Sequence, residues 1–151
     1  IETPAAVQMI REICEEGIDF ISFGTNDLTQ YILAIDRGNE QVQDLYDEMN
    51  PAVLYQLKFV LRTCKRSGVE TSICGQAGSK KEMVKFLVEN QIDSISVNAD
   101  AAADIAKYVA ELEKNSPAEG AESDEENELP IIPGTEDEPD SENPEETLEI
   151  F

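Results

Sequence analysis

The sequence predicts an α/β fold built on a parallel sheet. Short apolar strands alternate with amphipathic helices along residues 1–114, and every strand-to-strand connection is long enough to hold a crossover helix. The pattern stops at an acidic C-terminal stretch, dividing the 151 residues into an α/β segment, 1–114, and an acidic tail, 115–151.

The elements follow in order. Thr3 before Pro4 marks a helix start, since proline at the first helical position loses no needed N–H. Val7, Ile10 and Cys14 then recur at helical spacing, and Gly17 ends the run. "DFISF", residues 19–23, reads as a buried strand, followed by a polar run. In the next helix Asn50 is the N-cap, Pro51 the first helical residue, and Gly68 the C-cap; Val53, Leu54, Leu57, Val60, Leu61 and Cys64 line one face. "VETSIC" is the next strand. Ser79 and Glu82 have capping-box spacing for a helix through Met83, Phe86 and Leu87. "DSISV" is a further strand and "ADAAADIAKYVAELEK" the last helix. The first strand of such a sheet is the one ending at Ile1.

Charge divides the chain in the same place. The net charge is −22, but residues 1–115 hold all 11 Lys and Arg against 19 Asp and Glu, whereas residues 116–151 hold 14 acids and no base. An acidic body lacks the cations that neutralise phosphates, which argues against nucleic-acid binding. The tail, rich in Glu, Asp, Pro, Ser and Asn, has too little apolar bulk to offset the entropy of ordering and is expected to be disordered, with "LPIIP" and "LEIF" as candidate partner motifs. No apolar run approaches the roughly 20 residues of a membrane span. Three well-separated cysteines without a CxxC pair fit a reduced, cytoplasmic setting. The absence of histidine removes imidazole acid–base chemistry and any phosphohistidine on this chain.

In a parallel α/β architecture ligands collect at the carboxyl ends of the strands. Glu2 follows the first strand; Gly24, Thr25, Asn26 and Asp27 follow the second; Cys74, Gly75 and Gln76 follow the third; Asn98 follows the fourth. Two carboxylates from neighbouring strand ends suit Mg²⁺ or Mn²⁺, although Glu2 could equally cap a helix and Asp27 make an Asx turn. Arg37 is either a bidentate clamp for phosphate or carboxylate, or an ordinary solvated arginine. Cys14 and Cys64 read as core residues on helix faces, whereas Cys74, at a strand end, is a candidate proton donor or nucleophile.

The run "DFISFGTNDLTQYILAIDR", with "IETPAA" before it and "ICGQAGS" after it, resembles the three active-site segments of the phosphoenolpyruvate-utilising enzymes, in the same order. The resemblance covers residues 1–114 and implies the C-terminal part of a TIM (β/α)₈ barrel, from the end of strand 5 through helix 8. It implies Glu2 and Asp27 as ligands of Mg²⁺ or Mn²⁺; Gly24, Thr25, Asn26, Asp27 and Arg37 as the substrate site; and Cys74 as the residue exchanging a proton with the substrate methylene.

Within the family the segments look most like the branch that makes phosphoenolpyruvate from pyruvate and ATP, which commonly has proline where Gly78 stands. The phosphate dikinases and the phosphotransferase-system branch are alternatives. A catalytically silent module acting through its tail is another. The reaction needs a phosphohistidine, an ATP-binding domain and the first half of the barrel, so these are the expected partners, and the chain alone is expected not to complete turnover. Half a barrel leaves open edges and apolar faces, so self-association into a homo-oligomer is expected.

Overall fold

The computed structural model describes residues 1–115. The acidic tail with its two candidate motifs falls beyond the described residues. The order is α1 (Pro4–Gln8), α2 (Ile10–Glu15), β1 (Phe20–Gly24), α3 (Thr25–Leu33), α4 (Pro51–Ser67), β2 (Glu70–Cys74), α5 (Lys81–Glu89), β3 (Ser94–Ile95) and α6 (Ala102–Asn115). Single 3-10 turns stand at Gln43–Leu45 and Gln76–Ser79. No helix among the described residues is long and apolar enough to cross a membrane.

The three strands are parallel in the order β1-β2-β3, with Phe23 opposite Ile73, Gly24 opposite Cys74, and Ile73 opposite Ile95. Ile1 continues the ladder on the edge of β1 that β2 leaves open: its main-chain nitrogen donates to Ser22 O at 2.6 Å and its carbonyl accepts from Gly24 N at 3.0 Å. That is the bonding of a parallel neighbour. It sets Glu2 at the end of the sheet where β1 stops.

One core lies between sheet and helices. Val7, Ile10 and Cys14 pack with Val53, Leu57, Val60 and Cys64 of α4, with Ile21, Phe23 and Ile73 of the strands, and with Met83 and Leu87 of α5. Each large apolar side chain so buried contributes about 1.5–3 kcal/mol relative to exposure. At the amino end of β2 the Asp93 carboxylate accepts from Thr71 N at 2.7 Å and from Thr71 Oγ1 at 2.8 Å, tying β2 to the segment that enters β3.

Four local expectations change. The first helix is interrupted at Met9, which adopts φ −92°, ψ 12°. The run after β1 is helical: Thr25, Leu28 and Thr29 point inward at positions i, i+3 and i+4, and two of those three are threonines, so the inward face does not look apolar. The Ser79–Glu82 capping box does not form. Lys80 occupies the N-cap without a side-chain capping bond to the helix, and Ser79 Oγ instead accepts from Asn98 N at 3.1 Å. Finally, β3 is only two residues long.

Candidate active site

Because β1 and β2 run parallel and in register, they end together, Gly24 beside Cys74. The segments that follow these two residues start from the same end of the sheet. Glu2 folds across Gly24: a Cβ built on that glycine would stand 2.6 Å from both Glu2 Cγ and Glu2 Oε1, so only the missing side chain lets the carboxylate lie there. Glu2 does not cap the following helix, since Thr3 Oγ1 accepts from Ala6 N at 3.2 Å.

Asp27 sits in the first turn of α3, where a carboxylate favours the helix dipole, and makes no Asx turn. Its Oδ1 lies 3.3 Å from Arg37 Nη2. Arg37 is thereby brought back over the start of α3 from a turn fixed by Gln30, whose Oε1 accepts from Arg37 N at 3.3 Å. Both members of the pair are about two-fifths exposed, with side chains 44% and 41% accessible, which leaves the guanidinium open to a ligand and keeps the pair weak.

Asn26 is held from three directions. With its amide oriented so that donors face acceptors, nitrogen towards Glu48 and oxygen towards Arg37, the carboxamide donates to Glu48 Oε1 at 3.3 Å and accepts from Arg37 Nη1 at 3.1 Å. Its main-chain carbonyl accepts from the Tyr46 hydroxyl at 3.1 Å. Glu48, buried at 3% exposure, also accepts from Lys80 Nζ at 2.6 Å. Burial first, and then the Glu48 carboxylate, hold the Tyr46 hydroxyl above its ordinary range, while the Thr29 hydroxyl and Arg37 act the other way.

Cys74 is exposed, and its Sγ donates to Phe23 O at 3.2 Å across the strand pair. Gly75 follows at φ 101°, ψ −171°, a conformation essentially reserved for glycine, which turns the chain sharply after the thiol. The nearest atoms to a Cβ there would be an Asn26 carboxamide atom and Thr25 Oγ1 at 3.6 Å. Thr25 Oγ1 is buried without a hydrogen-bond partner, an unsatisfied polar group beside the residues named above. Asn98 and Gln76 are exposed at the same strand ends.

Among the described residues no group of three or more His, Cys, Asp or Glu could hold a metal. Glu2 and Asp27 therefore supply at most two hard oxygen ligands, a set that fits Mg²⁺ or Mn²⁺ with remaining positions left to water and substrate, and not a closed zinc site. The cradle over Gly24 holds one of the two. Asp27 is engaged with Arg37.

The sequence pattern named Glu2, Gly24, Thr25, Asn26, Asp27, Arg37 and Cys74, and these stand together at the strand ends. It missed Tyr46, Glu48 and Lys80. No periodicity or motif marks them; Glu48 and Lys80 are separated by 32 residues and meet only in the fold.

A family model described as "PEP-utilising enzyme, PEP-binding domain" matches residues 1–114. The chain belongs to the PEP-utilising enzyme family. Over 114 residues it is 60% identical to the phosphoenolpyruvate synthase of Pyrococcus furiosus, an overlap of 76% of this chain and 14% of that protein. It is 54% identical over 114 residues to a probable phosphoenolpyruvate synthase of Methanocaldococcus jannaschii, covering 76% of this chain and 10% of the relative. Similarity to the phosphoenolpyruvate-protein phosphotransferase of Borreliella burgdorferi is lower, 41% over 109 residues, or 72% of this chain and 19% of the relative. The chain thus spans well under a quarter of the length of these PEP-utilising relatives. It corresponds to a PEP-binding domain of the synthase-like kind.

Proposed function

We propose that this segment forms the C-terminal part of a (β/α)₈ barrel and binds pyruvate or phosphoenolpyruvate with Mg²⁺ at the carboxyl ends of its strands. In the larger enzyme it would serve the ATP-dependent conversion of pyruvate to phosphoenolpyruvate. The single observation carrying this reading is the in-register ending of β1 and β2, which gathers Glu2, Asp27, Arg37 and Cys74 at one end of a parallel sheet. The phosphohistidine and ATP-binding parts would lie outside this chain, which has no histidine.

The chain's own groups divide the work. Glu2 and Asp27 would hold the cation, and a bound divalent cation supplies positive charge to the oxygens of the substrate as negative charge builds there. Arg37, released from Asp27, would take the phosphoryl group or carboxylate bidentately. Thr25 Oγ1 and the backbone freed by Gly75 would offer hydrogen bonds to substrate oxygens. Cys74 as thiolate would remove a methyl proton from pyruvate, and as thiol, the form that donates to Phe23 O here, would return one to phosphoenolpyruvate in reverse.

A chimera tests this. Residues 1–114 are placed in the Pyrococcus furiosus phosphoenolpyruvate synthase in exchange for its matching segment. The chimera is expected to exchange the methyl protons of pyruvate with solvent deuterium, and Cys74→Ala is expected to abolish exchange while Mn²⁺ binding persists. Exchange that survives Cys74→Ala would sink the assignment of Cys74, and a folded chimera that binds neither Mn²⁺ nor phosphoenolpyruvate would sink the reading as a whole.

A further inference from the structure

Glu48 is the least exposed carboxylate near the site, and its own contacts are to Asn26 and Lys80 and not to Glu2, Asp27, Arg37 or Cys74. At 3% exposure an ionised carboxylate is costly unless every lone pair is used. Its two oxygens are divided: Oε2 accepts from Lys80 Nζ at 2.6 Å and Oε1 accepts from the Asn26 carboxamide at 3.3 Å. An amide that donates to Glu48 must turn its oxygen the other way, and that oxygen accepts from Arg37 Nη1 at 3.1 Å. The acceptor-only nature of Glu48 thus dictates the direction of the whole chain Lys80–Glu48–Asn26–Arg37. A second observation agrees: Tyr46, two residues before Glu48, grips the main-chain carbonyl of the same Asn26 at 3.1 Å. The segment between α3 and α4 holds Asn26 by both backbone and side chain.

We infer that Glu48 is a positioning residue that aims Arg37 through Asn26, with Lys80 as its counter-ion. The inference rests on the reading of Arg37 as a ligand-binding group. It also gives the arginine two different anchors. The Asp27 contact, at 3.3 Å between half-exposed groups, is the one a cation on Asp27 would weaken. The Asn26 contact need not break, so it keeps the guanidinium over the site while Asp27 changes partner. Lys80 comes from the residue before α5, so the relay also couples the turn after β2 to the start of α3.

Side-chain NMR on the 151-residue chain reads the relay without any ligand. Glu48→Gln keeps the volume but has one acceptor oxygen for two donors, Lys80 and Asn26. The Asn26 carboxamide pair and the Arg37 Nε–H signal are expected to shift, and exchange of the guanidinium protons to quicken, with backbone amides of β1 and β2 unchanged. Lys80→Met, at a side chain 51% exposed, is expected to move the same signals less, and serves if Glu48→Gln does not fold. With Mg²⁺ and phosphoenolpyruvate added, Glu48→Gln is expected to raise the phosphoenolpyruvate Kd about tenfold, the scale of one charge-assisted hydrogen bond, and to leave Mn²⁺ affinity unchanged. A general loosening would weaken both. Asn26 and Arg37 signals that stay in place in whichever variant folds overturn the inference. A parent chain that binds no phosphoenolpyruvate counts against the substrate reading instead, and the NMR signals still decide the role of Glu48.

Discussion

The three cysteines of this chain occupy two kinds of place, and the contrast separates what holds the fold from what it presents. Cys14 on α2 and Cys64 on α4 face each other in the core, sulfur to sulfur at 4.0 Å, at 7% and 0% exposure. Burial, and then the neighbouring Cys14, push the Cys64 thiol up to about 12. A thiol so placed is a small apolar group, inert as a nucleophile. Cys74 is the opposite case: exposed, at the end of a strand, with its hydrogen bond going to a strand carbonyl and glycine directly behind it. The same side chain is filler on the helical side of the sheet and an accessible thiol at the strand ends. Location in the fold, and not residue type, makes that difference.

Substitutions on the two sides should therefore separate stability from ligand binding. The largest loss of stability is expected from Leu57→Ala on α4, where a fully buried side chain leaves a cavity, about 2–5 kcal/mol in a urea titration. Gly78 comes next. A Cβ there would lie 2.4 Å from Ser96 O, a backbone atom that cannot swing aside, so Gly78→Ala is expected to cost about 1–3 kcal/mol through overpacking. Gly78→Pro meets the same carbonyl. A Gly78→Pro variant as stable as the parent would mean that the turn after β2 can relax away from β3. Gly24→Ala differs again: its Cβ meets only the flexible Glu2 side chain, at 2.6 Å. It is expected to change stability by about 1 kcal/mol or less while expelling the Glu2 carboxylate and weakening Mn²⁺ binding, read by paramagnetic relaxation.

What could be read in the sequence follows the same division. Helix α4 was legible because its signals are local: Asn50 Oδ1 does accept from Ala52 N at 2.9 Å, Pro51 opens the helix, and Gly68 ends it at φ 70°. Cys14 and Cys64 were legible as core because they fall on an apolar helical period. The strand ends were legible once the strands were found, since a parallel sheet sends successive carboxyl ends to one side. The misses involve partners distant in sequence or an inward face that does not look apolar. Ser79 prefers Asn98, 19 residues away, to its own helix, and α3 hides its period behind two inward threonines. Glu48 reads as one more acid in an acidic chain; only its burial beside Lys80 and Asn26 distinguishes it.

Alkaline pH sharpens the contrast at the core cysteine. The ordinary thiol value is 9.0, and in the fold Cys64 is raised to about 12. As pH passes about 9 the unfolded chain releases this proton while the folded chain keeps it, so the unfolded state is favoured. The stabilisation is present in full below about 9 and is lost as pH rises towards about 12. Tyr46, also raised, adds a loss of the same sign above its ordinary 10.0. Urea midpoints are expected to fall between about pH 8 and about pH 10.5, and less steeply in Cys64→Val. An equal slope in that variant would remove Cys64 as the cause.

The smallest effect on the fold is expected from Cys74→Ala. The side chain is exposed and its one hydrogen bond is to the Phe23 carbonyl, so the midpoint is expected to shift by about 0.5 kcal/mol or less. If the thiol were instead a structural clasp between β1 and β2, its loss would cost as much as a buried contact, and amide exchange at Phe23 and Gly24 would accelerate. Cys74→Ser distinguishes the two. A hydroxyl can donate to the same carbonyl and so restores any clasp, but with an alcohol's far higher pKa it cannot take a methyl proton from pyruvate near neutral pH. Full stability with no proton exchange in Cys74→Ser is the pattern that assigns the thiol to chemistry alone.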